Sequence, residues 1–279
     1  TVPSGDYRIR VTPEGAPDTV VFDSGSIPLA GGSDLTIAAI DNTGPNSSTP
    51  VRLLVAPEGG DSFVLTDANA RAAVRAAHLS SNTPNVDVTV DDFSSLLYQD
   101  VPFPTVADYK QVPAGTFDVD VGVTGDNTAA VSLPGATLEG GTWTSIYAVG
   151  QLGGSPALEL IAGDDDIRSV ATEGRLRVVH AASQVPGNNG PVDVYVAPDG
   201  TPSSDVGTLD PTIAGFEYKD ITEYLPVAAG DYEVFVTPAG SDSVVIEAGL
   251  TLNAGDVKTV VARDAQGGGF AALPVDETP

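Results

Sequence analysis

Three copies of one short pattern constrain the fold of this chain more than any other feature of its sequence. Each copy places a Val-x-x-Gly turn before alternating apolar and polar residues; the copies are VPSGDYRIRV (residues 2–11), VPAGTFDVDV (residues 112–121) and VAAGDYEVFV (residues 227–236). Alternation with a period of two, opened by an aromatic residue, predicts a β-strand with one face buried and the other in water. Because the pattern recurs, we predict an array of repeats rather than one continuous domain.

A second repeated pattern supplies the other half of each unit. RAAVRAAHLS (residues 71–80) aligns with EGRLRVVHAA (residues 173–182), so that an Arg-x-x-His motif recurs. Each copy is followed by a turn rich in Pro and Asn and by a Val-Asp-Val segment, at residues 86–90 and 192–196. The alanines of the first copy are compatible with a helix. The aligned copy is rich in Val and Leu, however, and we therefore predict strands for both.

Short strands at this spacing, separated by Gly and Pro turns, predict an all-β protein of tandem antiparallel, immunoglobulin-like β-sandwich domains. We predict one complete sandwich over residues 71–173 and another over residues 174–279. Residues 1–70 hold only the second half of a unit, so the first sandwich is predicted to be incomplete and to expose strand edges and an apolar face. Two explanations stay open: the chain is an excerpt of a longer array, or a strand from a neighbouring chain completes the domain.

The arrangement resembles the repeated domain known as domain of unknown function 4397 (DUF4397). The family's opening pattern is matched twice, at Arg177, His180, Val192, Asp193, Val194 and Val196 and at Arg75, His78, Val86, Asp87, Val88 and Val90. Its later Tyr-x-x-(Val/Leu)-x-x-Gly-x-(Tyr/Phe) element matches residues 109–117 and 224–232, and its Val-Thr-Pro-Ala-Gly turn matches residues 236–240. The resemblance implies tandem β-sandwich domains of secreted or surface-attached bacterial or archaeal proteins, with no established activity and no catalytic residues.

Charge and composition exclude two classes of partner and favour one location. Lys and Arg total 12 against 38 Asp and Glu, which gives a formal net charge of −26. A surface this acidic repels phosphate backbones and anionic lipid, so we expect no nucleic-acid binding and no polybasic membrane docking. No run of about 18 apolar residues is present, so no membrane span is predicted. Salt outside the cell screens such self-repulsion, and we expect an extracellular or cell-surface protein.

The residues needed for nucleophilic catalysis are missing. The sequence has no Cys and no Gly-x-Ser-x-Gly motif, and its only histidines, His78 and His180, belong to different repeats. We expect each imidazole to hydrogen-bond a neighbouring turn, since one His per repeat is too few for a zinc site. Arg75 and Arg177 are expected to pair with an acid across the sheet, and the hydroxyls of Tyr109 and Tyr224, which recur just before the Gly turn, with nearby backbone. The protein is therefore predicted not to be an enzyme.

The carboxylates leave acid/base pairs and calcium ligands as open interpretations. No stretch matches the twelve-residue EF-hand loop, so the signal is one of composition. Asp118 and Asp120 share one strand phase and are expected to lie on a solvated acidic face. The calcium candidates are in the joint between the two complete repeats, where an ion would also stiffen the array: Asp164, Asp165 and Asp166.

Three functions follow from these expectations. We favour a non-enzymatic extracellular structural protein, a subunit of a cell-surface fibre, filament or matrix whose copies assemble head to tail by strand complementation between chains. The alternative is a surface adhesin or ligand-binding ectodomain with calcium-stiffened domain joints. A hydrolase with paired carboxylates comes last, because no recognisable constellation of catalytic residues is present.

Overall fold

The residues that the structure describes fold into β-strands joined by turns, with one short 3-10 helix at Ser203–Thr208. The structure is a computed structural model, and it describes residues 2–45, 49–91, 95–126, 128–185 and 190–279. The predicted all-β class of tandem β-sandwiches is confirmed. Within the described ranges, no helix is long and apolar enough to cross a membrane.

The first 70 residues form five strands in two small sheets. The strands are β1 (Gly5–Val11), β2 (Phe22–Leu29), β3 (Leu35–Asp41), β4 (Val51–Pro57) and β5 (Phe63–Leu65). β1 pairs antiparallel with β2, and the other sheet has the antiparallel order β3-β4-β5. Among the strands that the structure describes, β1 and β3 each have one neighbour and are therefore edge strands.

The second repeat forms nine strands in two sheets. The strands are β6 (Ala72–His78), β7 (Val86–Val90), β8 (Ser95–Val101), β9 (Thr105–Val106), β10 (Lys110–Val112), β11 (Gly115–Val123), β12 (Val131–Leu138), β13 (Trp143–Val149) and β14 (Glu159–Asp165). One sheet has the order β10-β6-β13-β14, with β9 also paired to β6, and the other the order β12-β11-β7-β8. The alanine-rich segment is the strand β6, as the aligned copy predicts.

The third repeat forms eight strands with the same plan. The strands are β15 (Gly174–Ala181), β16 (Val192–Pro198), β17 (Ile213–Phe216), β18 (Leu225–Val227), β19 (Gly230–Pro238), β20 (Ile246–Leu252), β21 (Val257–Asp264) and β22 (Phe270–Asp276). One sheet has the order β18-β15-β21-β22 and the other the order β17-β16-β19-β20. The Arg-x-x-His strand β15 and the Val-Asp-Val strand β16 thus lie at the centres of opposite sheets.

The central strands of one sheet run parallel, which the expected antiparallel arrangement does not include. β15 pairs with β21 in parallel over its whole length, whereas β16, β19 and β20 are mutually antiparallel. In the second repeat, Ala73 N donates to Thr142 O and Leu79 N to Ala148 O, so β6 and β13 also advance in one direction. Long connections separate these strands in the sequence, and such connections permit parallel pairing.

Both faces of β15 are buried, which explains its nearly continuous apolar sequence. One face joins a core within the third repeat that includes Leu176, Val178, Val192, Val194, Val234 and Val260. The other face joins a core to which both complete repeats contribute, formed by Ala77, Leu79, Tyr147, Val149, Val179, Ala181, Tyr218 and Val261. The complete repeats are therefore packed against each other through apolar sheet surfaces.

Contacts divide the chain into two compact units. The first consists of Thr1–Val74, Tyr109–Phe117 and Ala136–Thr144, and the second of Arg75–Asp108, Asp118–Gly135 and Ser145–Pro279. The sheets group the strands by repeat, at residues 1–70, 71–173 and 174–279. Grouping residues by their contacts instead puts the core shared by the two complete repeats inside the second compact unit.

Gly150, directly after β13, lies where the backbone of a neighbouring segment comes close. Its φ is +85°, and a Cβ there would lie 2.2 Å from the carbonyl oxygen of Ala157. We expect Gly150→Ala to lower the free energy of unfolding by about 2–4 kcal/mol, because both the left-handed backbone and the overlap disfavour a side chain. Urea unfolding measures the change.

Gly249→Ala is the matched control for this substitution. Gly249 lies in β20, and a Cβ there would meet nothing within 4 Å. We expect its free energy of unfolding to change by less than about 1 kcal/mol. Equal stabilities for the two variants would contradict the structural argument.

Candidate functional site

The two repeated arginines lie in one buried polar network within the second compact unit. Each guanidinium binds a hydroxyl on the neighbouring strand of its own repeat. Arg75 Nε donates to Ser145 Oγ at 2.6 Å, and Arg177 Nε donates to Thr259 Oγ1 at 3.0 Å. Since the arginines are aligned in the repeats, Ser145 on β13 and Thr259 on β21 occupy equivalent positions.

The acids of the network are exchanged between the repeats. Arg75 Nη2 pairs with Glu277, which follows the last strand of the third repeat. Arg177 Nη1 pairs with Asp165 Oδ1 of the second repeat at 2.5 Å, and its Nη2 also reaches Glu277 Oε1 at 3.1 Å. All four side chains are at most 4% exposed. The predicted pairing of both arginines with acids is confirmed, and each repeat holds the arginine of the other.

The hydroxyl groups orient these carboxylates. Ser145 Oγ donates to Asp165 Oδ2 at 2.6 Å, and Thr259 Oγ1 donates to Glu277 Oε2 at 2.9 Å. Each buried carboxylate therefore receives both a guanidinium and a neutral donor, which is the arrangement that makes a buried ion pair tolerable.

Two tyrosines close the network around Arg177. Arg177 Nη2 donates to the Tyr147 hydroxyl at 3.1 Å, and the guanidinium lies 4.6 Å from the ring centre of Tyr224. Burial disfavours the charge of Arg177, but Tyr147 and the neighbouring acids outweigh it and raise its pKa, so the guanidinium stays protonated. Burial and the Glu277 carboxylate raise the pKa of Tyr224, which stays neutral and donates.

The prediction for Tyr224 is wrong in its acceptor. Its hydroxyl donates to Glu277 Oε2 at 2.5 Å rather than to backbone. The tyrosines that do bond nearby backbone follow the Gly turn instead: Tyr7 donates to Pro3 O at 2.7 Å and Tyr232 to Ala228 O at 2.8 Å. Both tyrosines occur in a repeated Gly-Asp-Tyr pattern, and this repetition is the sequence signal by which they could have been identified.

Both histidines bond turns, as predicted. His78 Nε2 lies 3.1 Å from the carbonyl oxygen of Pro84, and His180 Nε2 lies 3.3 Å from that of Gly190. Ala182 N donates to His180 Nδ1 at 3.3 Å, which requires the neutral tautomer with its proton on Nε2. Burial lowers the pKa of both imidazoles. These histidines hold turns in place.

The three calcium candidates face different partners. Asp164 contributes its backbone oxygen to Arg177 Nη1 at 3.2 Å, and Asp165 is in the buried network. Asp166 pairs with Arg175 at 2.9 Å, and this pairing lowers the pKa of Asp166 although partial burial opposes the shift. Among the residues that the structure describes, no group of three His, Cys, Asp or Glu side chains is arranged to hold a metal ion.

The predicted solvated acidic face is wrong for Asp120. Asp118 is exposed, but Asp120 is 4% exposed and accepts from Ser132 Oγ at 2.5 Å, because β11 is buried on both faces toward its end. The aspartate of the Val-Asp-Val strand is buried as well in the third repeat. Asp193 accepts from the backbone N–H groups of Gly215 and Gly240, at 2.7 and 2.8 Å. Asp120 thus links β11 to β12, and Asp193 links β16 to β17 and to the turn at Gly240.

A second candidate site is an apolar groove in the first compact unit. It has a volume of about 380 Å³ and is lined by residues of β1 to β5 and of the turns between them, among them Ile9, Ile27, Leu35, Ile37, Val55 and Phe63. Ile37 is 41% exposed and Phe63 is 53% exposed. Exposed apolar surface of this kind marks interaction sites in soluble proteins.

Comparison with known proteins identifies one family. The model of the family described as "Domain of unknown function (DUF4397)" matches residues 72–195 and 187–279. No curated protein is significantly similar to the chain. Among solved structures, the chain described as "The Bacillus anthracis TIE protein" matches 86% of this chain with 11% sequence identity and a TM-score of 0.22. The match spans 42% of that protein, and a similarity this low bears on neither fold nor function.

Removing the central arginine should destabilise the second compact unit strongly. We expect Arg177→Met to lower the free energy of unfolding by about 3–5 kcal/mol, because it leaves buried carboxylates without their counter-charge. Arg168→Met is the matched control, since Arg168 is exposed and pairs with Asp166 only at 3.4 Å. Its expected effect is about 0–1 kcal/mol. Chemical denaturation compares the two variants. Similar losses of unfolding free energy would show that the buried network stabilises the fold no more than an exposed ion pair does.

The histidines predict a pH dependence of stability. Because burial lowers the pKa of both imidazoles below the ordinary value of 6.5, the unfolded chain binds protons near and below that pH that the folded chain does not. Stability should therefore be lost as pH falls from about 7.5 to about 5. We expect His78→Gln and His180→Gln each to flatten this dependence, measured as unfolding free energy against pH. An unchanged slope in the double variant would contradict the assignment.

Proposed function

The chain belongs to the DUF4397 family, and from this membership and the contacts described above we propose that it is a non-enzymatic structural subunit of an extracellular fibre, coat or matrix. The observation that carries the proposal is the exchange of buried charges between the two complete repeats. The arginines and acids that a catalyst would need are engaged here in contacts that hold two β-sandwiches together.

The chemically capable residues support a structural role. Arg75, Arg177, Asp165 and Glu277 neutralise one another in the buried network, and both histidines bond turns. Groups held in this way are oriented toward the protein itself and contact one another rather than a substrate. A hydrolase with paired carboxylates has no support among these contacts.

The coupling of the complete repeats supports a rigid subunit of an ordered assembly. Bending the two repeats apart would expose the shared apolar core and would separate Arg75 from Glu277 and Arg177 from Asp165. A pair of domains joined in this way behaves as one building block, which suits an ordered assembly better than a flexible tether does.

Charge supports an extracellular location. A net charge of −26 keeps copies apart at low ionic strength and is screened in a saline exterior, where the Debye length falls to about 8 Å or less. Copies of such a chain can then approach one another. In this proposal the partners are other copies of the chain and other proteins of the same surface.

The groove of the first unit is the one observation that favours the alternative, a surface adhesin or ligand-binding ectodomain. Its lining is apolar and its volume of about 380 Å³ lies within the usual range of small-molecule pockets. A ligand would be expected to bind there without any assembly of the protein.

Immunogold electron microscopy of cells that produce the protein, harvested without shearing, tests the proposal. We expect the label on regular filaments or on a continuous surface layer, unchanged by a calcium chelator, because arginines occupy the candidate calcium segment. Label confined to the cytoplasm or to dispersed soluble particles would overturn the proposal. Dissolution of the assemblies by the chelator would instead support calcium-stiffened joints.

A further inference from the structure

We propose that two β-strands of a partner chain complete the first unit, one carrying Arg-x-x-His beside β3 and the other carrying Val-Asp-Val beside β1. This inference rests on the proposed function, because it names the segment through which a structural subunit is joined to its neighbour. The third repeat supplies the template, since its strands β19 to β22 correspond to β1 to β4 and it also contains the Arg-x-x-His strand β15 and the Val-Asp-Val strand β16, which have no counterpart among the described strands of residues 1–70.

β1 is built like β19. Both begin with Gly-Asp-Tyr, and the Tyr7 and Tyr232 hydroxyls make the same backbone hydrogen bond. Tyr7 lies opposite Ile27 of β2 as Tyr232 lies opposite Leu250 of β20. In the third repeat β19 has a second, antiparallel neighbour, the Val-Asp-Val strand β16, whereas among the described strands β1 has only β2. β1 therefore presents the edge that a Val-Asp-Val strand occupies elsewhere in the chain.

β3 is built like β21, and the register of its neighbour is the same. The Glu58 backbone N–H donates to Asp34 O at 2.9 Å, and the Glu277 N–H donates to Val257 O at 2.8 Å. Glu58 directly follows β4, which pairs with β3, and Glu277 directly follows β22, which pairs with β21. The parallel Arg-x-x-His strand β15 lies on the far side of β21, and the corresponding side of β3 is an edge.

This equivalence places an arginine-binding pair on the first unit. Thr36 occupies the position of Thr259, and Glu58 occupies the position of Glu277; in the third repeat this hydroxyl and this carboxylate bind Arg177. Thr36 pairs with Ala56, two residues before Glu58, so both side chains lie on the same face of their sheet. The first unit thus has the acceptors for an arginine that residues 1–70 do not supply from an Arg-x-x-His strand.

Exposure shows that the first unit lacks its cover. Thr259 is fully buried and Glu277 is 5% exposed, whereas Thr36 and Glu58 are exposed. Six of the eight residues of β21 are buried, and none of the seven residues of β3 is. Strands of similar sequence and pairing differ in burial here: β21 has the parallel strand β15 beside it and packs into the core shared with the second repeat, whereas β3 is an edge strand among the strands that the structure describes.

Charge and hydrogen bonding select the occupant. An Arg-x-x-His strand beside β3 brings a guanidinium to Thr36 and Glu58, and its apolar neighbours cover the groove. A Val-Asp-Val strand beside β1 brings a carboxylate to Gly15, which is equivalent to the Gly240 whose N–H binds Asp193. The first half of a DUF4397 repeat supplies both strands in the order required.

A second copy of the first unit is a poorer occupant. Two first units face to face would bring Glu58 toward Glu58 without the arginines that neutralise Asp165 and Glu277 in the complete repeats. The Arg-x-x-His strands of a second copy are also committed, since Arg75 and Arg177 are at most 4% exposed within their own repeats. The donor strands therefore come from outside residues 1–279, and the proposal assigns them to a partner chain whose first half-repeat is not already built into a sandwich.

A synthetic peptide of residues 173–198 provides the probe, because it contains both strands of the template. Binding of the fluorescently labelled peptide to the whole chain is measured by fluorescence anisotropy, and hydrogen exchange of the chain locates the contact. We expect saturable binding of one peptide per chain, with slower exchange in β1 and β3 and unchanged exchange in β19 and β21. A peptide with the same composition in scrambled order is the control and should not bind.

Charge reversal tests the position of the arginine. We expect the peptide with Arg177→Glu to bind at least about tenfold more weakly, because its carboxylate would meet Glu58. The chain with Glu58→Arg should bind the unaltered peptide with a similar loss, and the two reversed partners together should recover most of the affinity. Changes in the peptide leave the fold of the protein untouched, so they remain informative if the Glu58→Arg chain does not fold.

Several results would overturn the proposal. These are absence of saturable binding, equal binding of the scrambled peptide, and indifference to both charge reversals. Protection of β3 that rises with protein concentration alone would assign the edge to a second copy, and protection that is independent of concentration would assign it to the same polypeptide. If filaments are seen by electron microscopy but the peptide does not bind, the proposed function stands and the contact between subunits lies elsewhere. If the peptide binds but no filaments are seen, strand addition to the first unit stands and the proposed function fails.

Discussion

The exchange of two arginines between two buried acids is the interaction on which the arrangement of the complete repeats depends. Arg75 and Arg177 sit on the faces of β6 and β15 that point away from their own sandwich cores, toward the neighbouring repeat. Buried charges must be neutralised, and here each arginine pairs with an acid of the other repeat, while Arg177 also reaches Glu277 of its own repeat. Both pairs span the two repeats, so the charges constrain how the two sheets face each other in addition to the apolar packing.

This interaction also depends on which strands are neighbours at the centre of the sheet. The strand that carries the arginine must lie beside the strand that carries the hydroxyl, since Arg177 binds Thr259 while both face the second repeat. In the parallel pair of β15 and β21, Arg177 is directly opposite Thr259. The same juxtaposition holds for Arg75 and Ser145. The parallel centre is therefore part of the polar network as well as of the sandwich.

The sequence predicts the repeated elements well and the relations between them poorly. Alternation and repetition were enough to identify β1, β11 and β19 as strands, and the alignment of the alanine-rich copy identified β6. The same alignment predicted that Arg75 and Arg177 meet acids. Glu277 could not be found in this way, because it is a single acid among 38 and lies far in sequence from the arginines it binds. Asp120 was misjudged because strand phase separates two faces but does not show that a second face is covered as well.

The groove of the first unit has a consequence for the heat capacity of unfolding. Apolar surface that becomes exposed on unfolding raises the heat capacity, whereas apolar surface that already meets solvent in the folded chain does not add to the change. The cores of the second compact unit are built from buried apolar side chains, while the groove leaves Ile37 41% and Phe63 53% exposed. Per residue, the first unit therefore contributes less than the second to the heat capacity change of unfolding.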